Sequence, residues 1–357
     1  MAASETGNRF LETGDLRELL SEKRWLVEEE QFDPGTLNIY ETLFTVGNGY
    51  LGTRGSLEEG HAAGLPRTFI NGLFDHHQSF VVELANTPDW PELHLYVEGI
   101  KLGIHECEIL DHYRALDMRS GCLFRETRFR DKEGRITRYQ SLRYAHWDEK
   151  HLCELQVQLT PENYNGVIEV EAPIDANVFN LDLKPAYKDP PTFDPEIRWE
   201  KWARSMHLGH VVSEPIEPKG IFLKLETLDR PHHLGYASAL EADTDVTEYR
   251  RRFQHKRASE VVRLEAKKGE PLRIRKAVAI CTSRDQARDQ IRPFCEGQLQ
   301  GSLSHSFLEK FERHRKAWNR LWDACDIIIK GDPEANRAVR FNIYHLLIAA
   351  NPEDERA

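Results

Sequence analysis

The sequence is poor in the features that mark a membrane, secreted or nucleic-acid-binding protein. Six of its 357 residues are cysteine, at positions 107, 122, 153, 281, 295 and 325, and no two form a Cys-x-x-Cys pair. This excludes zinc-ribbon and dithiol motifs and reads as reduced thiols packed as small apolar groups. No apolar run approaches the roughly 18 residues that a membrane helix needs. The start, Met1-Ala2-Ala3-Ser4-Glu5, has no charged segment leading into an apolar one, so no secretory signal is read and a cytoplasmic location is expected. The net charge is −11, whereas nucleic acid and anionic membranes require a basic face, so neither is an expected partner. A Gly-x-Ser-x-Gly elbow is missing. The pairs His76-His77 and His232-His233 are adjacent, not at the i, i+4 spacing that aims two imidazoles at one metal. His105-Glu106-Cys107 lies in a strand-like stretch where neighbours face opposite sides, so no metal site is expected. There is no internal repeat and no low-complexity segment.

What remains is an ordinary globular composition, 40% hydrophobic and 30% charged, in a chain long enough for two units with their own cores. From about residue 90 to 285 the apolar pattern has period two. Leu93, Leu95 and Val97 alternate with His94, Tyr96 and Glu98. Cys153, Leu155, Val157 and Leu159 alternate with Glu154, Gln156 and Gln158. Leu272, Ile274, Val278 and Ile280 repeat the pattern around Lys276. Turn signals at Asp131-Lys132-Glu133-Gly134 and Lys267-Lys268-Gly269-Glu270 join such runs, which predicts antiparallel strands in a large β-sandwich. The basic strip from Arg125 to Arg143 and the acidic runs Glu28-Glu29-Glu30 and Glu58-Glu59 read as solvated faces. Lys184 to Pro218, with Asp189-Pro190-Pro191-Thr192-Phe193-Asp194-Pro195, Trp199 and Trp202, reads as an excursion from the sheet, because proline removes ladder donors. The first ten residues are expected to be loosely held.

Near residue 300 the period changes to 3.6. Leu303, Phe307, Phe311, Trp318 and Trp322 predict an amphipathic helix of about five turns, with Glu309, Lys310, Arg313 and Lys316 on its outer side. A second helix opens at Asp332-Pro333, an N-cap followed by a first-turn proline, carries Val339, Ile343, Leu346, Leu347 and Ala350, and ends before Pro352.

One string stands apart: Glu41-Thr42-Leu43-Phe44-Thr45-Val46-Gly47-Asn48-Gly49-Tyr50-Leu51-Gly52-Thr53-Arg54-Gly55. Its Gly-x-Gly-x-x-Gly match is not a nucleotide loop. The fourth glycine would break the helix that such a loop must open, so the glycines are expected to turn the chain or to allow a close approach.

With this string, Trp25-Leu26-Val27-Glu28-Glu29, Phe32-Asp33-Pro34, Phe69-Ile70-Asn71-Gly72-Leu73-Phe74, Glu83 to Trp90 and Arg340 to Leu347, the chain resembles the N-terminal region of glycoside hydrolase family 65. That family holds maltose, trehalose, kojibiose and nigerose phosphorylases and some hydrolases. The resemblance implies a mainly β fold: a galactose-mutarotase-like supersandwich over residues 1–285, a helical linker over 286–331 and the start of a truncated (α/α)6 barrel over 332–357. It implies an inverting phosphorylase acting on an α-linked glucose disaccharide, with inorganic phosphate as co-substrate and no cofactor, often as a homodimer. The general-acid glutamate is expected beyond the C-terminus, so no catalytic residue is assigned and this chain alone is expected to be inactive. Candidate substrate contacts are Arg340, Tyr344 and His345 on the last helix and Asn86, Asp89 and Trp90 in the sandwich. A family 65 hydrolase and a stand-alone carbohydrate-binding module are the rival readings.

Overall fold

Period-two side chains need two surfaces to bury against, and the fold supplies both. The computed structural model describes residues 15–77, 79, 81–183 and 202–350. The first ten residues, the proline-rich stretch with Trp199 and the end of the chain from 351 lie outside the described residues. Every strand pairing among them is antiparallel.

Nine strands form the largest sheet, in the order Leu26–Glu29, Glu108–Asp117, Cys122–Arg130, Ile136–Ala145, Leu152–Pro161, Leu272–Thr282, His233–Ala242, Ile221–Thr227, Leu208–Pro215. A five-stranded sheet packs on it, built on Val246–Gln254, Arg257–Ala266, Gly166–Asp175, His94–Val97 and Ile100–Leu102. Leu155, Val157, Ile274 and Val278 from the first sheet share one core with Val97, Val170, Val262 and Leu264 from the second. Each such side chain contributes about 1.5–3 kcal/mol by leaving water. A four-stranded sheet, Val46–Gly47, Leu51–Thr53, Thr68–Asp75 and Glu83–Thr87, adds Val46, Leu51 and Ile70 to the same core.

Helices cover the other face of the nine-stranded sheet. After α1 (Leu37–Leu43) come α2 (Ile291–Leu303), α3 (Phe307–Cys325) and α4 (Pro333–Ala349). Ala277, Ala279 and Cys281, facing away from the sandwich core, pack with Ile291, Cys295 and Leu299 of α2. Tyr113, Phe124 and Tyr144 pack with Phe307 and Phe311 of α3. Helix α3 opens with a capping box, in which Ser306 Oγ accepts from Glu309 N and Glu309 Oε2 accepts from Ser306 N. At Gly121, with φ of 58°, an added Cβ would stand 2.2 Å from the Trp318 indole, so the turn after strand Glu108–Asp117 can touch α3 only as glycine.

Several expectations change. Glu154, Gln156 and Gln158, the polar members of the alternation, are buried as well, and Glu154 accepts from Ser302 Oγ of α2. Glu154 accepts from Arg275 (2.6 Å), whose guanidinium also reaches the carbonyls of Ser302 and His305 at the end of α2, where a cation complements the helix dipole. Leu303 belongs to α2, one helix before Phe307. Lys310, placed on the outer side of its helix, is buried and donates to Glu149 at 2.8 Å. In α4 the Asp332 cap and Pro333 hold, with Asp332 Oδ1 accepting from Ala335 N. The buried stripe, however, is Asn336, Arg340, Tyr344 and Ile348, and Leu346 is 70% exposed. The supposed excursion contains strands Trp202–Ser205 and Leu208–Pro215. The latter is an edge strand whose side chains after Leu208 are mostly half-buried, so its alternation is weak. Lys267–Glu270 joins strands of two different sheets rather than a hairpin.

Candidate functional site

The glycine string folds as a hairpin between strands Val46–Gly47 and Leu51–Thr53. Asn48 anchors it: its Nδ2 donates to the carbonyls of His146 and Lys150, and its Oδ1 accepts from the backbone N–H groups of Tyr50 and Leu51. Gly49, at φ 78°, donates its N–H to Ile348 O of α4. A Cβ on Gly47 would meet Leu51 O at 2.8 Å, and one on Gly55 would meet Phe44 Cβ at 2.4 Å. Close approach, not phosphate, explains these glycines.

Two cavities flank the hairpin. The first, of about 310 Å³, is lined by Thr45, Tyr50, Phe69, Asn71, His345 and Ile348 among others. Its walls are mainly apolar, and burial lowers the His345 pKa, so the ring is neutral at pH 7.

The second cavity, of about 220 Å³, is lined by Glu41, Ser56, His61, Asp89, Glu92 and Asp175, and among the described residues no lysine or arginine lines it. Ser56 Oγ donates to Asp89 Oδ2 at 2.8 Å, while Asp89 Oδ1 is buried without a hydrogen bond. Burial raises the Asp89 pKa to about 6, against the pull of Arg143. Burial also raises that of Glu41, although Leu65 N–H and Arg54 donate to it. Near pH 6 Asp89 is therefore able to keep or release a proton in this wall.

What fixes this wall is the supposed solvated strip. Arg125 and Arg143 are buried, as are Glu29, Glu58 and Glu59. Arg125 donates to Glu58 (2.9 Å) and Glu59 (2.8 Å), and Arg143 donates to Glu58 (3.1 Å) and to Ser56 O (2.6 Å). Arg114 donates to Glu29 and to Gly55 O. Burial alone would raise the Glu58 pKa; Arg143 and Arg125 outweigh it and hold it at about 2. The strip reads as solvent-facing in sequence because nothing local shows that Arg54 to Glu59 lies over it.

The six candidate contacts fall into two groups. Asp89 and His345 face the cavities. The others are held in the framework. Trp90 is 0% exposed, donates Nε1–H to Thr53 Oγ1 and presents no free ring face. Asn86 accepts from Thr68 N–H and donates to Phe179 O. Arg340 pairs with both oxygens of Asp326 (2.8 and 2.7 Å) and lies 3.8 Å from the Trp25 ring centre. Tyr344, fully buried, donates to Thr45 O and stacks on Trp318. Sequence reading missed Glu41 and Ser56, although both bound the glycine string. It also missed a convergence of His151, Cys281 and Asp285, whose ligand atoms lie within 4.8 Å of one another. Cys281 and Asp285 are four residues apart, but His151 is remote in sequence, so the trio leaves no local signal.

The sequence pattern of "Glycosyl hydrolase family 65, N-terminal domain" matches residues 27–321. The chain belongs to this family. Among family 65 relatives, the kojibiose phosphorylase of Caldanaerobacter subterraneus subsp. tengcongensis is 33% identical over 347 residues, 95% of this chain and 43% of its own. The kojibiose phosphorylase of Thermoanaerobacter brockii is 30% identical over 97% of this chain and 43% of its own. A solved structure described as a putative kojibiose phosphorylase from human microbiome superposes with a TM-score of 0.78 at 17% identity, covering 92% of this chain and 42% of that one. It shows that the family 65 chain shares this mainly β architecture. The chain thus spans about 43% of the length of these two curated relatives. Among the described residues no helix is long and apolar enough to cross a membrane.

Proposed function

We propose that this family 65 chain is the N-terminal part of an inverting α-glucoside phosphorylase, which transfers glucose from an α-linked glucose disaccharide to inorganic phosphate and yields β-glucose 1-phosphate and glucose. The observation that carries this reading is the 33% identity to a kojibiose phosphorylase across 95% of the chain. Such a reaction needs a carboxylic acid to protonate the leaving oxygen and a phosphate held by cationic or N–H donors on the opposite face of the sugar. The Asp89 cavity supplies acids but, among the described residues, no lysine or arginine in its wall, a lining that repels phosphate. On this reading the sandwich is a scaffold, and bond cleavage belongs to other residues of the whole enzyme. Asp89 and His345 are the two candidates placed to reach substrate, and Arg340, Tyr344, Asn86 and Trp90 position the surfaces around them.

We keep the organisation expected from sequence: a sandwich to about residue 285, a linker to 331 and the first barrel helix from 332. Exposed Ile39, Ile327, Ile328 and Leu346 support association as a homodimer, and a phosphate-consuming reaction suits the cytoplasm.

Assays with phosphate and kojibiose, trehalose, nigerose or maltose test the scaffold reading. The 357-residue chain is expected to release no glucose 1-phosphate, and robust turnover by it would overturn the reading. Co-expression with the C-terminal remainder of the Caldanaerobacter enzyme is expected to restore phosphorolysis. Failure with all four sugars, despite a co-purifying complex, counts against a phosphorylase.

A further inference from the structure

We propose that His151, Cys281 and Asp285 form a binding site for one zinc-class divalent cation, at the junction of the nine-stranded sheet, helix α2 and the glycine hairpin. His151 precedes strand Leu152–Pro161, Cys281 lies near the end of strand Leu272–Thr282, and Asp285 lies in the turn before α2. A strand end and the turn that follows it, four residues apart, thus bring one sulfur and one oxygen donor to within 4.8 Å of a nitrogen donor that is remote in sequence. Zinc bonds of about 2.0–2.3 Å require donors roughly 3.5 Å apart, so a contraction on the order of 1 Å brings the three protein donors into bonding range and leaves the fourth position to water. A thiolate, an imidazole and a carboxylate together select a borderline-soft ion over magnesium or calcium, which take oxygen ligands.

The surroundings are those of oriented ligands. His151 Nδ1 lies 2.8 Å from Ile280 O, an acceptor only, so Nδ1–H donates to it and this bond fixes the ring. Asp285 Oδ2 accepts from Tyr50 OH (2.7 Å), Thr282 Oγ1 (2.8 Å) and Thr282 N (3.2 Å), which fix the carboxylate. The Tyr50 and Phe294 rings meet the imidazole edge-on, with centres at 4.5 and 5.0 Å. Cys281 is 0% exposed in an apolar cluster with Ile291, Cys295 and Leu299, which excludes water from the sulfur side. Binding replaces the thiol proton, releasing it to solvent, so affinity falls as pH is lowered. The ion would pin the turn before α2 to Tyr50, which also lines the His345 cavity. The inference is independent of the reaction proposed above, because its readout is metal binding.

The test is titration of the chelator-stripped 357-residue chain with Co²⁺, followed by absorption. The expected result is a near-ultraviolet thiolate-to-cobalt charge-transfer band that saturates at one equivalent and is displaced by Zn²⁺. Cys281→Ser should abolish the band, and Asp285→Asn should weaken binding at least tenfold. Cys122→Ser, a buried thiol on another strand, should leave it unchanged. A folded parent chain with no saturable band overturns the proposal without recourse to any variant. A band that survives Cys281→Ser, or unaltered affinity in Asp285→Asn, overturns it equally.

Discussion

Strand Cys122–Arg130 carries two arginine–glutamate arrangements that look alike in sequence and differ in everything else. Arg125 is 2% exposed and bridges Glu58 and Glu59; Arg128, three residues on, is 44% exposed and pairs with Glu162 at 2.8 Å. The two side chains leave the strand on opposite faces, and the segment Arg54 to Glu59 lies over the face of the first and not of the second. A pair at the surface gains little, because water screens it and two long side chains must be held still. A buried pair loses its hydration, and breaking it leaves an uncompensated charge in a low-dielectric site. Equal geometry therefore carries unequal energetic weight, and position under a covering segment decides which applies.

The largest break in this comparison is Arg125→Ala, which is expected to lower the unfolding free energy by about 3–5 kcal/mol, since it strands Glu59 and leaves Glu58 with Arg143 as its one cationic partner among the described residues. Urea unfolding measures it, and a loss below about 1 kcal/mol would erase the contrast. A middle-sized effect separates two buried acids of opposite sign. Glu58, held at about 2, contributes stability that is fully present above its ordinary 4.5 and is lost as pH falls toward 2. Asp89, raised to about 6 from 3.8, is bound more tightly to its proton when folded, so it costs stability as pH rises through 6. Asp89→Asn should stabilise by roughly 1–3 kcal/mol at pH 8, a gain that disappears by pH 4, read from urea midpoints at the two pH values. A gain of equal size at both would remove the protonation argument. The smallest change is Arg128→Ala: less than about 1 kcal/mol, and nearly nothing in 1 M salt, followed by thermal melting. A larger or salt-insensitive loss would place Arg128 with Arg125.

The period-two runs made the sheets legible, because alternation follows directly from which face meets the core; Leu155 and Val157, and Ile274 and Val278, fall where their spacing puts them. Asp332 and Pro333 marked a helix start through local chemistry alone. What sequence could not show is what lies over the second face. Glu154, Lys310, Arg125 and Arg143 are charged residues in ordinary alternation, and only the tertiary arrangement turns them inward. The same holds for α4, where Val339, Ile343, Leu346 and Leu347 suggested the buried stripe, while Arg340 and Tyr344 occupy it through Asp326, Trp25, Thr45 and Trp318. Of the candidate site, the glycine string was visible at once, yet Glu41 and Ser56 at its two ends converge with Asp89 only after the sheets close.

The contact between Gly121 and Trp318 makes position 121 a wedge point. One methyl group there would stand where the indole now rests, so the long helix could be levered off its turn while the chemistry of both surfaces stayed intact. A hydrogen atom, the smallest substituent a backbone can carry, thereby sets the spacing between the β framework and its helical brace.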